Sequence, residues 1–125
     1  CELAIASGAS WVGRETMLDP KKLERLIVKG FEHRGFSFIE VLSNCHINLG
    51  RKNKMLSAMD NLNWIDSITM TKAKYDKLET EEEKLNLLPT GVLKHDTKVR
   101  EYCDMYQDIK DVHQGKRAKI TQDDF

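Results

Sequence analysis

Gly35-Phe36-Ser37-Phe38-Ile39-Glu40-Val41-Leu42-Ser43-Asn44-Cys45 is the stretch on which the fold turns. Residues 36–42 are aromatic and β-branched and almost continuously apolar, the pattern of a strand buried on both faces of a sheet. Upstream of it, Asp19 and Pro20 form a helix start: an N-cap side chain, then proline at the first helical position, where its missing N–H costs nothing. Leu23, Leu26, Ile27 and Phe31 then share one face of residues 20–34, with Lys21, Lys22, Glu24, Arg25 and Lys29 largely elsewhere. Gly35 ends this amphipathic helix as a left-handed residue. Further back, the small residues Ala6-Ser7-Gly8-Ala9 close a first helical segment, and Ser10-Trp11-Val12-Gly13-Arg14 reads as another strand. Strand, helix and strand within about 33 residues make one βαβ unit, so the predicted class is α/β with a parallel sheet.

Past Gly50 the pattern changes. The basic run Arg51-Lys52-Asn53-Lys54 leads into a predicted helix over 55–68, with Met55, Met59, Leu62, Ile65 and Ile68 on its stripe and Trp64 on its flank. Residues 72–86, with the run Glu81-Glu82-Glu83-Lys84, read as a solvated helix or a connector. Leu87-Leu88-Pro89-Thr90-Gly91 reads as a turn, and no further strand is predicted. Residues 98–113 return to helical spacing, with Val99, Tyr102, Cys103, Tyr106 and Ile109 in one stripe, and the polar stretch after Gly115 reads as frayed. The expected organisation is therefore a βαβ part over 1–53 and a helical extension over 54–125.

Twenty basic residues balance twenty acidic ones, which argues against nucleic acid or an anionic membrane surface as partner. Apolar runs fall far short of the roughly 20 residues that cross a bilayer, and a soluble, cytoplasmic protein is expected. The first residue is Cys1, and Glu2-Leu3-Ala4-Ile5-Ala6 reads as the middle of something helical, so further sequence is expected upstream.

The loop after the second strand is the candidate for chemistry. In open parallel sheets, ligands bind where loops converge at the carboxyl ends of the strands, and Ser43-Asn44-Cys45-His46 occupies such an end. A thiolate there can ligate metal or act as a nucleophile, with His46 as base or co-ligand; equally, a lone cysteine after a buried strand can be a small buried hydrophobe. Cys1, Cys45 and Cys103 show no CxxC spacing, so a metal held here needs ligands from elsewhere. Cys103 reads as core packing, Cys1 carries no assignment, and His33, His46, His95 and His113 read mostly as surface residues or local hydrogen-bonders.

Taken with Ala6-Ser7-Gly8-Ala9-Ser10-Trp11-Val12 and the Asp19-Pro20 helix, the segment Gly35 to Cys45 resembles the C-terminal half of the β subunit of 2-oxoacid:ferredoxin oxidoreductases. More narrowly, Cys45-His46-Ile47-Asn48-Leu49-Gly50-Arg51-Lys52-Asn53-Lys54-Met55, Pro89-Thr90-Gly91-Val92-Leu93-Lys94-His95-Asp96 and Glu101-Tyr102-Cys103 resemble the bacterial 2-oxoglutarate:acceptor oxidoreductase branch. The resemblance implies a thiamine-diphosphate-binding domain with Mg²⁺ and a 4Fe-4S cluster. It also implies oxidative decarboxylation of 2-oxoglutarate with coenzyme A to succinyl-CoA, and ferredoxin or flavodoxin as acceptor. Cys45 then matches the fourth cluster cysteine, the other three lying upstream in the family. The family's diphosphate-binding GDG segment is missing from these residues, so this fragment alone is expected to hold neither cofactor and to be inactive. Partners implied are the upstream half of the β subunit, an α subunit and further small subunits. Arg51 to Lys54 can be read as contacts to coenzyme A phosphates or acidic ferredoxin, or as a solvated helix entry. Rival readings are a non-catalytic subunit-assembly module in 54–125, a β subunit acting on pyruvate or another 2-oxoacid, and a thiamine-dependent enzyme without a cluster.

Overall fold

The computed structural model describes residues 1–55 and 57–115. Helix α1 (Glu2–Ala6) leads into strand β1 (Trp11–Thr16), helix α2 (Pro20–Glu32) and strand β2 (Ser37–Leu42), the expected βαβ unit. β1 and β2 are parallel, with Trp11 opposite Ser37 and Thr16 opposite Leu42. Asp19 caps α2 by accepting the Lys22 N–H at 3.0 Å, with Pro20 at the first helical position. Gly35, at φ +134°, takes a conformation that side chains rarely adopt as the chain enters β2.

The second half departs from expectation. After a π-helical turn (His46–Gly50) and helix α3 (Ala58–Ile68), a short strand β3 (Thr69–Thr71) and two short helices, α4 (Lys72–Tyr75) and α5 (Glu81–Lys84), lead to strand β4 (Leu88–His95). The stretch 87–91 is thus mainly the start of a strand rather than a turn, and the sheet does resume. β4 inserts between β1 and β3 in the order β2-β1-β4-β3, antiparallel to β1 and parallel to β3. The sheet is mixed, not all-parallel. Pro89 is tolerated because it faces Met70 of β3 at the end of β4 that lies beyond its pairing with β1, so no ladder bond to β1 is lost there.

This order makes β1 central and fully buried, and β2 a half-buried edge rather than a strand covered on both faces. Trp11 is the anchor of the core, 2% exposed, its indole lying over Gly13 and against Gly30 of α2. Leu26 of α2 is buried beside it, and a side chain of that size contributes about 2 kcal/mol when fully buried. Phe31, expected on the same face, is instead 85% exposed; Gly30 takes the inward place, where a Cβ would press on the Ile39 and Trp11 side chains. On the opposite face of β1, buried Arg14 meets Glu40 of β2 and, at 3.2 Å, Glu2 of α1.

Helix α6 (Tyr102–His113) forms as expected, but its stripe is not core: Tyr102, Tyr106 and Ile109 are exposed, with the two tyrosine rings stacked. Cys103 is likewise exposed, which corrects its reading as a packed residue. Met59 on α3 is exposed as well, and Ile65 and Asn61 take the buried face. The frayed tail expected after Gly115 lies outside the described residues. Among the described residues no helix is long and apolar enough to cross a membrane.

Candidate functional site

The carboxyl ends of the parallel strands β1 and β2 are tied together by sulfur contacts. The Met17 thioether, one residue past β1, accepts the Ser43 hydroxyl and the Asn44 N–H, each at 3.4 Å. Cys45 follows at the head of the π-helical turn, its thiol exposed, so it is not the buried hydrophobe that its type alone allows. The turn closes through the Gly50 N–H to the Cys45 carbonyl at 2.9 Å and the Met55 N–H to the Gly50 carbonyl at 2.8 Å. Glycine is required at 50, because a Cβ there would lie 2.8 Å from the Met55 carbonyl oxygen.

Two features set the surroundings of the cysteine. The N–H groups of Leu49 and, less strongly, Asn48 lie on the sulfur's side and lower the Cys45 thiol pKa, although neither completes a side-chain cap of the turn. The second is Asn61 of α3, fully buried, whose Oδ1 accepts the Cys45 N–H at 3.2 Å while its Nδ2 donates to the Met55 sulfur at 3.3 Å. Hydrophobic periodicity did not single out Asn61, because that method counts only apolar positions. The short gap between Cys45 and an amphipathic helix was the one available hint.

His46 is exposed beside Cys45, and Arg51, Lys52 and Lys54 extend the exposed basic run from the same turn. A cleft of about 350 Å³ opens at the same end of β1, lined by buried Glu15, Thr16 and Thr90 together with Asp66 and Lys74. Of the remaining histidines, His33 and His95 lie away from this end. His33 bonds to buried Ser10 at 2.8 Å and packs edge-on against His95, a local structural arrangement beside the start of β1. Cys103 sits on α6, where the charge of Glu101 above all, then its hydrogen bond and Asp104, raise its pKa.

A [4Fe-4S] cluster takes four thiolates. Among the described residues no group of three or more His, Cys, Asp or Glu side chains can hold a metal ion. Cys45 fits the role of one such ligand: its thiol is open to solvent, its backbone is pinned, and nearby N–H groups favour the thiolate.

No family model matches the chain. Among curated relatives it is 41% identical over 81 residues to the 2-oxoglutarate synthase subunit KorB of Methanothermobacter thermautotrophicus, covering 65% of this chain and 28% of the relative. The subunits of the same name from Methanothermobacter marburgensis and Methanocaldococcus jannaschii are 39% and 41% identical over 70% and 69% of this chain, and 30% and 31% of their own lengths. The chain thus spans about a third of the relatives that it matches. Over some two thirds of its residues it is a homologue of the 2-oxoglutarate synthase KorB subunits, the β-subunit group that its sequence motifs resemble.

Proposed function

We propose that this chain is the C-terminal part of a 2-oxoglutarate synthase β subunit and that Cys45 supplies one thiolate to its 4Fe-4S cluster. The observation that carries this is the exposed Cys45 thiol at the carboxyl end of β2, in a turn whose N–H groups favour its ionised form, within a sequence homologous to KorB. Residues 1–53 form the last βαβ part of the thiamine-diphosphate-binding domain. The described residues after Asn53 extend it and return β3 and β4 to the same sheet.

In the intact complex, 2-oxoglutarate and coenzyme A give succinyl-CoA, CO₂, one proton and two electrons, and the electrons leave singly to ferredoxin or flavodoxin. Thiamine diphosphate with Mg²⁺, when bound, supplies the electron sink for decarboxylation. This chain's residues orient and pin: Asn61 and Gly50 fix the Cys45 turn, and Arg51, Lys52 and Lys54 offer positive charge beside it for coenzyme A phosphates or an acidic electron acceptor. The complex works in the cytoplasm.

Exposed Leu3, Phe31 and Phe36 support cover by further protein, which we assign to the upstream half of the β subunit. The exposed aromatic stripe of α6 supports a second role, docking of an α or small subunit, so assembly and chemistry share this chain.

The complete β subunit, assembled with its α subunit, is expected to reduce ferredoxin when given 2-oxoglutarate and coenzyme A, with far lower turnover on pyruvate. Equal or greater turnover on pyruvate would replace the substrate assignment. No coenzyme A-dependent turnover on any 2-oxoacid would remove the enzymatic reading.

A further inference from the structure

The contact between α3 and the cysteine turn has a feature that ordinary packing does not require. Asn61 is wholly buried, yet its carboxamide spends its acceptor on a backbone N–H belonging to an exposed cysteine on another element, 16 residues away in sequence. The amide orientation is fixed chemically, because the Cys45 N–H can only donate; Oδ1 therefore faces it, and Nδ2 is left for the Met55 sulfur. Met55 in turn donates its own N–H to Gly50, the residue that closes the π-helical turn onto the Cys45 carbonyl. Asn61 thus holds Cys45, which heads the five-residue turn, and Met55, which bonds back to the turn's last residue.

We infer that Asn61 is the positioning residue of the cluster ligand: by holding the Cys45 N–H and Met55 together, it fixes where the Cys45 sulfur stands when iron binds. The inference rests on the reading of Cys45 as a ligand and adds the group that orients it. Partners that orient a metal ligand without touching the metal typically change metal affinity by roughly 10–100-fold when removed. Hydrogen bonding around cluster sulfurs also tunes the reduction potential.

The test uses the complete β subunit loaded with its cluster. Asn61→Ala is expected to change the EPR line shape of the reduced cluster and to lose iron to a chelator roughly 10–100 times more readily. Asn61→Asp keeps the acceptor for the Cys45 N–H but not the Nδ2 donor to Met55, and is expected to change the line shape and iron retention less than Asn61→Ala does. Ile65→Ala removes an equally buried side chain from the same helix and is expected to lower the melting temperature while leaving the spectrum and iron retention unchanged. A wild-type line shape and iron retention in Asn61→Ala, or the same spectral change in Ile65→Ala, would overturn the inference. If the alanine variant does not fold, Asn61→Ser is judged by the same marks. Cys45→Ala separates the two levels: an unchanged four-iron cluster there defeats the ligand reading itself, whereas loss of the cluster leaves that reading standing and Asn61 judged on its own spectra.

Discussion

The buried side chain of Asn61 accepts the backbone N–H of Cys45 at 3.2 Å, so the loop that leaves the sheet after β2 is anchored to a helix that comes well after it. Together with β4, which covers the free edge of β1, this bond makes the two halves of the chain depend on each other.

A polypeptide ending at Asn53 loses β3, β4 and Asn61 at once. β1, buried along its whole length, would then present an open edge of unpaired N–H and C=O groups. Such a polypeptide is expected to aggregate or to dimerise through that edge, without a cooperative melt. Size-exclusion chromatography and calorimetry check this, and a monodisperse, cooperatively melting monomer would refute it.

The βαβ unit was legible because each of its signals is local: Asp19 and Pro20 start the helix, Gly35 follows it, and Phe36 to Leu42 read as extended. β4 was not legible. Pro89 and Gly91 are turn residues by type, and only the tertiary arrangement shows that Pro89 lies beyond the β1 pairing while Gly91, at φ +105°, lies beside a break in register opposite Val12 and Gly13. β3 is three residues long, too short for any alternation to register. The apolar stripe of α6 identified the helix correctly, but periodicity cannot say whether a stripe is covered. Cys45 was legible as a position at a strand's carboxyl end. Its support by Asn61 was not, because a buried polar residue has no periodic signature.

The two exposed cysteines Cys45 and Cys103 differ in acidity. The N–H groups of Leu49 and Asn48 depress the Cys45 thiol pKa, while Glu101, with Asp104, raises that of Cys103. In the metal-free chain, alkylation by iodoacetamide followed by peptide mapping is expected to reach its half-maximal rate at lower pH for Cys45 than for Cys103. The reverse order would contradict the geometry of the turn. The stability linkage has opposite signs. The Cys45 contribution is present above the unfolded thiol pKa and is lost as pH falls through the depressed folded value. The Cys103 contribution is present below the unfolded pKa and is lost as pH rises through the raised folded value.

Gly50→Ala places a Cβ against the Met55 carbonyl, a backbone atom that cannot swing aside. The substitution is expected to cost about 1–3 kcal/mol and to lower Tm by roughly 4 °C or more, read by thermal denaturation. An unchanged melt would mean that the turn has room the structure does not show.

Arg14 is buried, holds Glu40 and Glu2, and leaves Nη1 without a hydrogen-bond partner among the described residues. Glu40→Ala removes the closer carboxylate and is expected to destabilise by about 1–3 kcal/mol, less than for a fully buried pair because Glu40 is about one third exposed. Replacing both partners, Arg14→Met with Glu40→Leu, is expected to recover most of the loss in urea titrations. A double variant as unstable as the single one would show that the pair itself, and not the stranded charge, sets the stability.

The most direct measurement is iron and acid-labile sulfide per complete β subunit, with the EPR spectrum of the reduced cluster, for the native protein and for Cys45→Ala. The expected result is loss of the four-iron signal in the variant, with the subunit still folded. A folded Cys45→Ala subunit that keeps its full iron, sulfide and native spectrum would contradict the assignment of Cys45 as a cluster ligand.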